Sequence, residues 1–185
     1  MLYFPTMAQT SPDPIADPKG YQQLLLVLLG EDDPHEVQSH TPKKLRALIA
    51  EAGDQVPQRP APREWSVLGC VAHLTDAEVM MSTRYRLILA HDEPELVGYD
   101  QDLWVDRLHS SDESAEALMA LFEPLRAANL ALWKRSDESQ RARIGMHAER
   151  GPESYDLVFR MLAGHDRFHL AQAYRALAAV KGRLE

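Results

Sequence analysis

Cysteine is almost absent from this chain of 185 residues: Cys70 stands alone, so no internal disulfide can staple the fold, in agreement with a reducing compartment. Long apolar runs are missing as well. The longest, Leu24 to Leu29, falls far short of the roughly 20 residues needed to span a bilayer. Met1 to Met7 has neither a basic opening nor an extended apolar stretch, so it does not read as a signal peptide, and a cytoplasmic location is expected. Basic clusters are also lacking. With 28 Asp and Glu against 20 Lys and Arg, the net charge is -8, and no dense patch can neutralise phosphates or anionic lipid. Neither nucleic acid nor a membrane surface is therefore an expected partner. Internal repeats and low-complexity tracts do not occur.

What is present is the composition of a globular domain, 45% hydrophobic and 26% charged, in a chain long enough to bury a core without a structural metal. Any bound metal is then expected to serve function rather than folding. One domain over residues 17–185 is expected, preceded by a loosely packed tail over 1–16 in which Met7 is an alternative start.

Asp17-Pro18, Asp33-Pro34 and Thr41-Pro42 each put a capping residue before proline, so the first quarter reads as a broken layer of short helices ending at Gly53. Ser66 should cap a long helix to about Ala90, in which Val67, Val71, Leu74, Met81, Tyr85 and Ile88 recur with near-heptad spacing. Trp65 can pack on Cys70 ahead of it as a hydrophobic staple. His73 lies beside that seam. Residues 91–111 lack helical rhythm and read as a long crossover loop. Ser110 with Glu113 suggests a capping box for a helix from about Ser111 to Arg135. Residues 137–151 read as irregular, and Gly151-Pro152 as the start of the last helix. Strands are nowhere evident, and the fold expected is an all-α four-helix bundle with short N-terminal helices.

On the last helix Val158, Leu162, His165, His169 and Ala173 share one line, so two imidazoles one turn apart, about 6 Å between Cβ atoms, face the core. Burying imidazole is costly unless both ring nitrogens find partners. If the second and fourth bundle helices are antiparallel neighbours, His73 comes abreast of the pair, and one cation shared by three nitrogens resolves the cost. Three protein ligands leave a position open, which is the catalytic arrangement of zinc. Core histidines bonded to carbonyls are the other reading. The metalloprotease motif is absent, since residue 166 is Asp and no glutamate adjoins His165.

The Trp65-Ser66 entry, the run His73-Leu-Thr-Asp76-Ala-Glu78, the segment Tyr99-Asp100-x-Asp102-x-Trp104, and His165-Asp-x-x-His169-Leu with Gln172 together resemble the DinB-like (DNA-damage-inducible) four-helix proteins. These are relatives of thiol-dependent S-transferases and of a group described as metal-dependent hydrolases. The resemblance runs from about residue 17 to the end. It implies an up-down-down-up bundle, a homodimer, and a divalent ion held by His73, His165 and His169. The function expected is that of a metal-dependent enzyme whose ion, zinc or nickel, activates water or a low-molecular-weight thiol against a small-molecule substrate. The alternative is a non-catalytic, metal-binding dimeric bundle.

Around the histidines, Asp76 and Gln172 each lie one turn beyond a ligand and could orient its second nitrogen, although both are also ordinary rim polars. Cys70 reads as a buried core thiol rather than a fourth ligand. The stretch Arg141-x-Arg143-x-Gly145-x-His147-x-Glu149-x-Gly151 alternates strictly. In it Glu149 is the candidate general base and Arg143 the candidate for an anionic substrate, with a solvated loop as the plainer reading of each. Asp100, Asp102 and Trp104 are candidates for the mouth of the pocket.

Overall fold

Each α-helix among the described residues begins at an Asp or Ser whose side chain accepts a backbone N–H of the first turn. In the computed structural model, which describes residues 12–183, these caps are Asp17 for α1 (Pro18–Leu29), Asp33 for α2 (Pro34–Ala52) and Ser66 for α3 (Val67–Ala90). Asp100 then caps α4 (Gln101–Leu108), Ser114 caps α5 (Ala115–Arg135), Asp137 caps α6 (Glu138–Arg141) and Ser154 caps α7 (Tyr155–Lys181). Met7 and most of the expected tail lie outside the described residues. Among the described residues no helix is long and apolar enough to cross a membrane.

The bundle consists of α2, α3, α5 and α7. Gln38 reaches Phe159, Thr41 reaches Asp166 and Glu51 meets Lys181, so α2 and α7 run parallel. Glu78 meets Arg126, and Ser82 meets Asn129, so α3 and α5 also run parallel. The two pairs oppose each other, His73 facing His165 while Tyr85 faces Tyr155. This is up-down-down-up topology, made possible by the crossover between α3 and α5. Two apolar clusters fill the interior, one around Leu45, Leu48, Val71, Leu74, Met119, Phe122 and Leu177, the other around Met81, Tyr85, Ile88, Trp133, Tyr155 and Phe159. A buried polar layer divides them: Glu78 on α3, Arg126 and Asn129 on α5, Asp166 on α7, and Gln38 and Thr41 on α2.

Four expectations need correction. First, α2 does not restart at Thr41-Pro42 but runs through it. Proline leaves the carbonyl four residues back without its helical donor, and here the Arg126 guanidinium donates to that orphan, Gln38 O, at 3.0 Å. Second, the crossover is not a bare loop, since it contains β1 (Glu95–Leu96) and α4. Third, α5 is capped by Ser114 and not Ser110, because the Glu113 carboxylate is bonded to His109 at 2.7 Å instead of closing a capping box. Fourth, strands exist. β2 (Ile144–His147) and β3 (Gly151–Ser154) form an antiparallel hairpin, with β1 parallel on the other edge of β2. Gly151, at φ 85°, makes the turn that L side chains disfavour, so the final helix starts only at Tyr155.

Across the outer face of α7 lies α1. Their backbones cross at Gly164, where a Cβ would stand 1.9 Å from Leu25 O. Only glycine permits that approach, and through it Tyr21 of α1 is carried to the histidine face of α7.

Candidate metal centre

His73 sits in the second turn of α3, and His165 and His169 one turn apart on α7. Antiparallel packing brings the three rings together, with centroids 4.9 Å apart for His73 and His165 and 4.3 Å for each of the other pairs. One ring nitrogen from each falls within 4.8 Å of the others, and all three residues are buried. Burial, reinforced by the neighbouring rings, holds His73 well below the usual imidazole range. Burial and then Arg126 press His165 down to about 3, and burial followed by His165 lowers His169. Three neutral rings result, each with a free lone pair at physiological pH.

The Nε2 atoms of His73 and His165 face each other at 2.9 Å. Two nitrogens this close need a proton or a cation between them. A proton serves two rings, whereas a cation serves all three, so the donor set fits a divalent ion of imidazole preference. His169 Nδ1 lies 2.8 Å from Gln172 Oε1, which holds the ring proton on Nδ1 and leaves Nε2 as the inward donor atom. Gln172 is thus placed as a residue that orients a ligand ring should be. Next to that Nε2, at 3.3 Å, stands the Tyr21 hydroxyl. Burial raises the Tyr21 pKa, so the phenol keeps its proton. The Trp65 indole covers His73 and His169, with centroid distances of 4.9 and 5.7 Å.

Behind the centre, Asp166 accepts two bonds from Arg126, at 2.5 and 3.0 Å, and one from the Thr41 hydroxyl at 2.7 Å. Arg126 also donates to Glu78 at 2.8 Å, and Asn129 donates to the other Glu78 oxygen at 2.7 Å. Burial works against the charged guanidinium, but Asp166 and Glu78 more than offset it and raise the Arg126 pKa.

Other predicted site residues are placed differently. Asp76 does not reach His73, whose Nδ1 has no partner, but pairs with His109 Nε2 at 2.9 Å. Arg143 donates to Ile88 O, His91 O and Asp92, tying down the end of α3 and leaving little for a substrate. Glu149 stands exposed in the turn between β2 and β3, with no hydrogen bond to the three rings. Asp100 is spent on capping α4, and Trp104 packs on Tyr99 at 4.6 Å. Asp102 lies in the first turn of α4, where burial and then Asp100 raise its pKa. Burial pushes the Cys70 thiol up to about 12, as befits a core thiol.

Tyr21 is a site residue the sequence analysis missed, being 148 positions from His169 with no local pattern to link them. The buried Glu78 and Arg126 did carry a signal. Glu78 fills the gap in the α3 seam between Leu74 and Met81, and Arg126 fills the corresponding place between Phe122 and Asn129 in α5. Opposite charges at seam positions of two helices announce a buried pair.

Known proteins resemble this chain in both sequence and fold. A protein of Oceanobacillus iheyensis named "putative metal-dependent hydrolase" is 25% identical over 118 residues, covering 64% of this chain and 68% of its own. The solved structure of YfiT from Bacillus subtilis, described as "a probable metal-dependent hydrolase with an unusual four-helix bundle topology", superposes with a TM-score of 0.70 at 20% identity. That likeness of fold covers 97% of this chain and 94% of YfiT. The DinB superfamily profile matches residues 39–173, the span that holds all three histidines, and the chain belongs to the DinB superfamily.

Proposed function

We propose that this protein is a metal-dependent hydrolase of small molecules, with His73, His165 and His169 as the protein ligands of one divalent ion. The observation that carries the reading is the meeting of three buried, neutral imidazoles, one nitrogen of each within 4.8 Å of the others. When bound, such an ion supplies Lewis-acid polarisation and acidifies water, which suits hydrolysis at neutral pH. The remaining work falls to the chain's own residues. Gln172 fixes the tautomer of His169. Trp65 walls off solvent from two of the rings, strengthening electrostatic interactions within. Tyr21, held protonated beside His169, can donate a hydrogen bond to an oxygen that gains negative charge.

Transfer of a low-molecular-weight thiol is the competing chemistry of the same donor set, with zinc and nickel both suited to it. Elemental analysis of tag-free protein, paired with a panel of esters, amides and thiol conjugations, tests the proposal. The expected result is about one equivalent of metal, and ester or amide turnover that His165→Ala abolishes. Metal-free protein after purification and reconstitution, or equal background rates for both forms, would overturn it.

A further inference from the structure

A second set of polar groups without partners lies under the strap Val97–Tyr99, on the β-sheet side of α3. Arg84 is only 4% exposed. One guanidinium nitrogen donates to Val97 O, another lies 4.0 Å from the Met81 sulfur, and Nε has no partner at all. Among the described residues no carboxylate pairs with it. His147 is 3% exposed on the inward face of β2. Its Nδ1 accepts the Glu149 N–H at 3.3 Å, so the proton of this neutral ring resides on Nε2, which finds no acceptor. Burial and Arg150 lower its pKa to about 4, in keeping with that neutral state.

Both orphan donors converge on the same strap. Arg84 holds Val97, while the His147 ring, at 3.6 to 3.8 Å, and the exposed Glu149 carboxylate, at 3.7 Å, border the place where a Gly98 Cβ would be, without Glu149 accepting the His147 proton. Nearby, Arg150 is matched by Glu153, which it meets at 2.5 and 3.0 Å and which also accepts from Gln22 at 2.7 Å. Arg84 is left as the unmatched charge. A buried guanidinium without an anion is costly, and so is a buried N–H without an acceptor. One oxyanion would relieve both.

The cluster adjoins the histidine centre through α1. Tyr21 touches His169, and its neighbour Gln22 binds Glu153. Arg84 is on the same face of α3 as His73, eleven residues or three turns along, about 16 Å at 1.5 Å per residue, so a ligand anchored at Arg84 must be an extended one to reach the histidines.

We propose that Arg84 and His147 bind an oxyanion, carboxylate or phosphoryl, carried by the small substrate whose reacting bond is presented to the three histidines. The substrate class is thus anionic, and the inference rests on the hydrolase reading for the word substrate but not for the binding itself. Calorimetric titration of the full chain with inorganic phosphate and with propionate tests it. Saturable binding of at least one probe is expected. Arg84→Gln should weaken it at least tenfold, Arg84→Lys less, and His147→Phe severalfold, with circular dichroism verifying the fold. Should Arg84→Gln fail to fold, His147→Phe decides. His165→Ala should leave the affinity within about twofold, and zinc affinity should be unaltered in Arg84→Gln. No saturable binding by the wild type, or binding that survives both Arg84→Gln and His147→Phe, overturns the proposal. Binding lost in His165→Ala but kept in Arg84→Gln would seat the oxyanion on the histidines and overturn it too. A wild type that binds an oxyanion but no zinc would sink the hydrolase reading and leave this site standing.

Discussion

Arg126 has more depending on it than any other single side chain in the bundle. It neutralises Glu78 and Asp166, both fully buried, and supplies the donor that Pro42 denies to Gln38 O. Removing one partner of a buried ion pair leaves an uncompensated charge, at about 3–5 kcal/mol. Arg126→Met is expected to cost at least that much in urea unfolding, while exposed Arg46→Met, which breaks only surface pairs with Glu116 and Glu123, should cost under about 1 kcal/mol. A pH effect belongs to this scale as well. Burial works against protonation of His109, yet the Asp76 and Glu113 carboxylates outweigh it and raise its pKa. A raised value in the folded state means that the stabilisation is complete below the ordinary imidazole value of about 6.5 and is lost as pH rises through the folded value. Thermal melts from pH 6 to pH 9 should show a fall in stability that His109→Gln abolishes. Of the individual residues, the histidines were legible because i,i+4 spacing on an apolar face is a local signal. The tie between Asp76 and His109 was not, since it joins positions 33 apart through the fold.

Among the elements, α1 is the most exposed to a single change. Gly164→Ala would thrust a methyl group against Leu25 O, and overpacking of this sort costs about 1–3 kcal/mol. The expected outcome is faster amide exchange throughout α1 and loss of the Tyr21 contact with His169, with α3 and α5 unaffected. Exchange protection of α1 equal to wild type would contradict this account. Element boundaries were readable where a capping residue preceded an apolar seam, as at Ser66 and α3. They were misread where tertiary bonds overrode local ones. Thr41-Pro42 has the form of a helix start, yet α2 continues through it, and Arg126, from another helix, supplies the donor that Pro42 lacks. The strict alternation around Gly145 and His147 was visible, and it is the two-residue period of a strand; Gly145 and His147 point inward while Met146 faces out. What hid the hairpin was its polarity, since the buried positions are His147 and Glu153 rather than aliphatic residues.

For the molecule as a whole, the bundle carries two apolar clusters that close without help from an ion. Chelation should therefore leave the far-ultraviolet spectrum intact and lower the melting temperature by roughly 5–15 °C, the size expected when a ligand worth about 3–4 kcal/mol is withdrawn from a domain of this length. Collapse of the helical signal on chelation would contradict that. Topology was legible in outline, because a crossover of some twenty residues releases α5 from lying antiparallel to α3. The sheet that this crossover builds with β2 was not, as parallel pairing of Glu95 and Leu96 with Met146 and His147 leaves no mark within either segment.

The ring donors come from α3 and α7, separated by 92 positions, and their phenolic neighbour comes from α1. During synthesis His73 emerges long before its companions, and until α7 has docked it has nothing to chelate with. Assembly of the three-ring donor set must then be a late event, complete only once α7 has docked against α3.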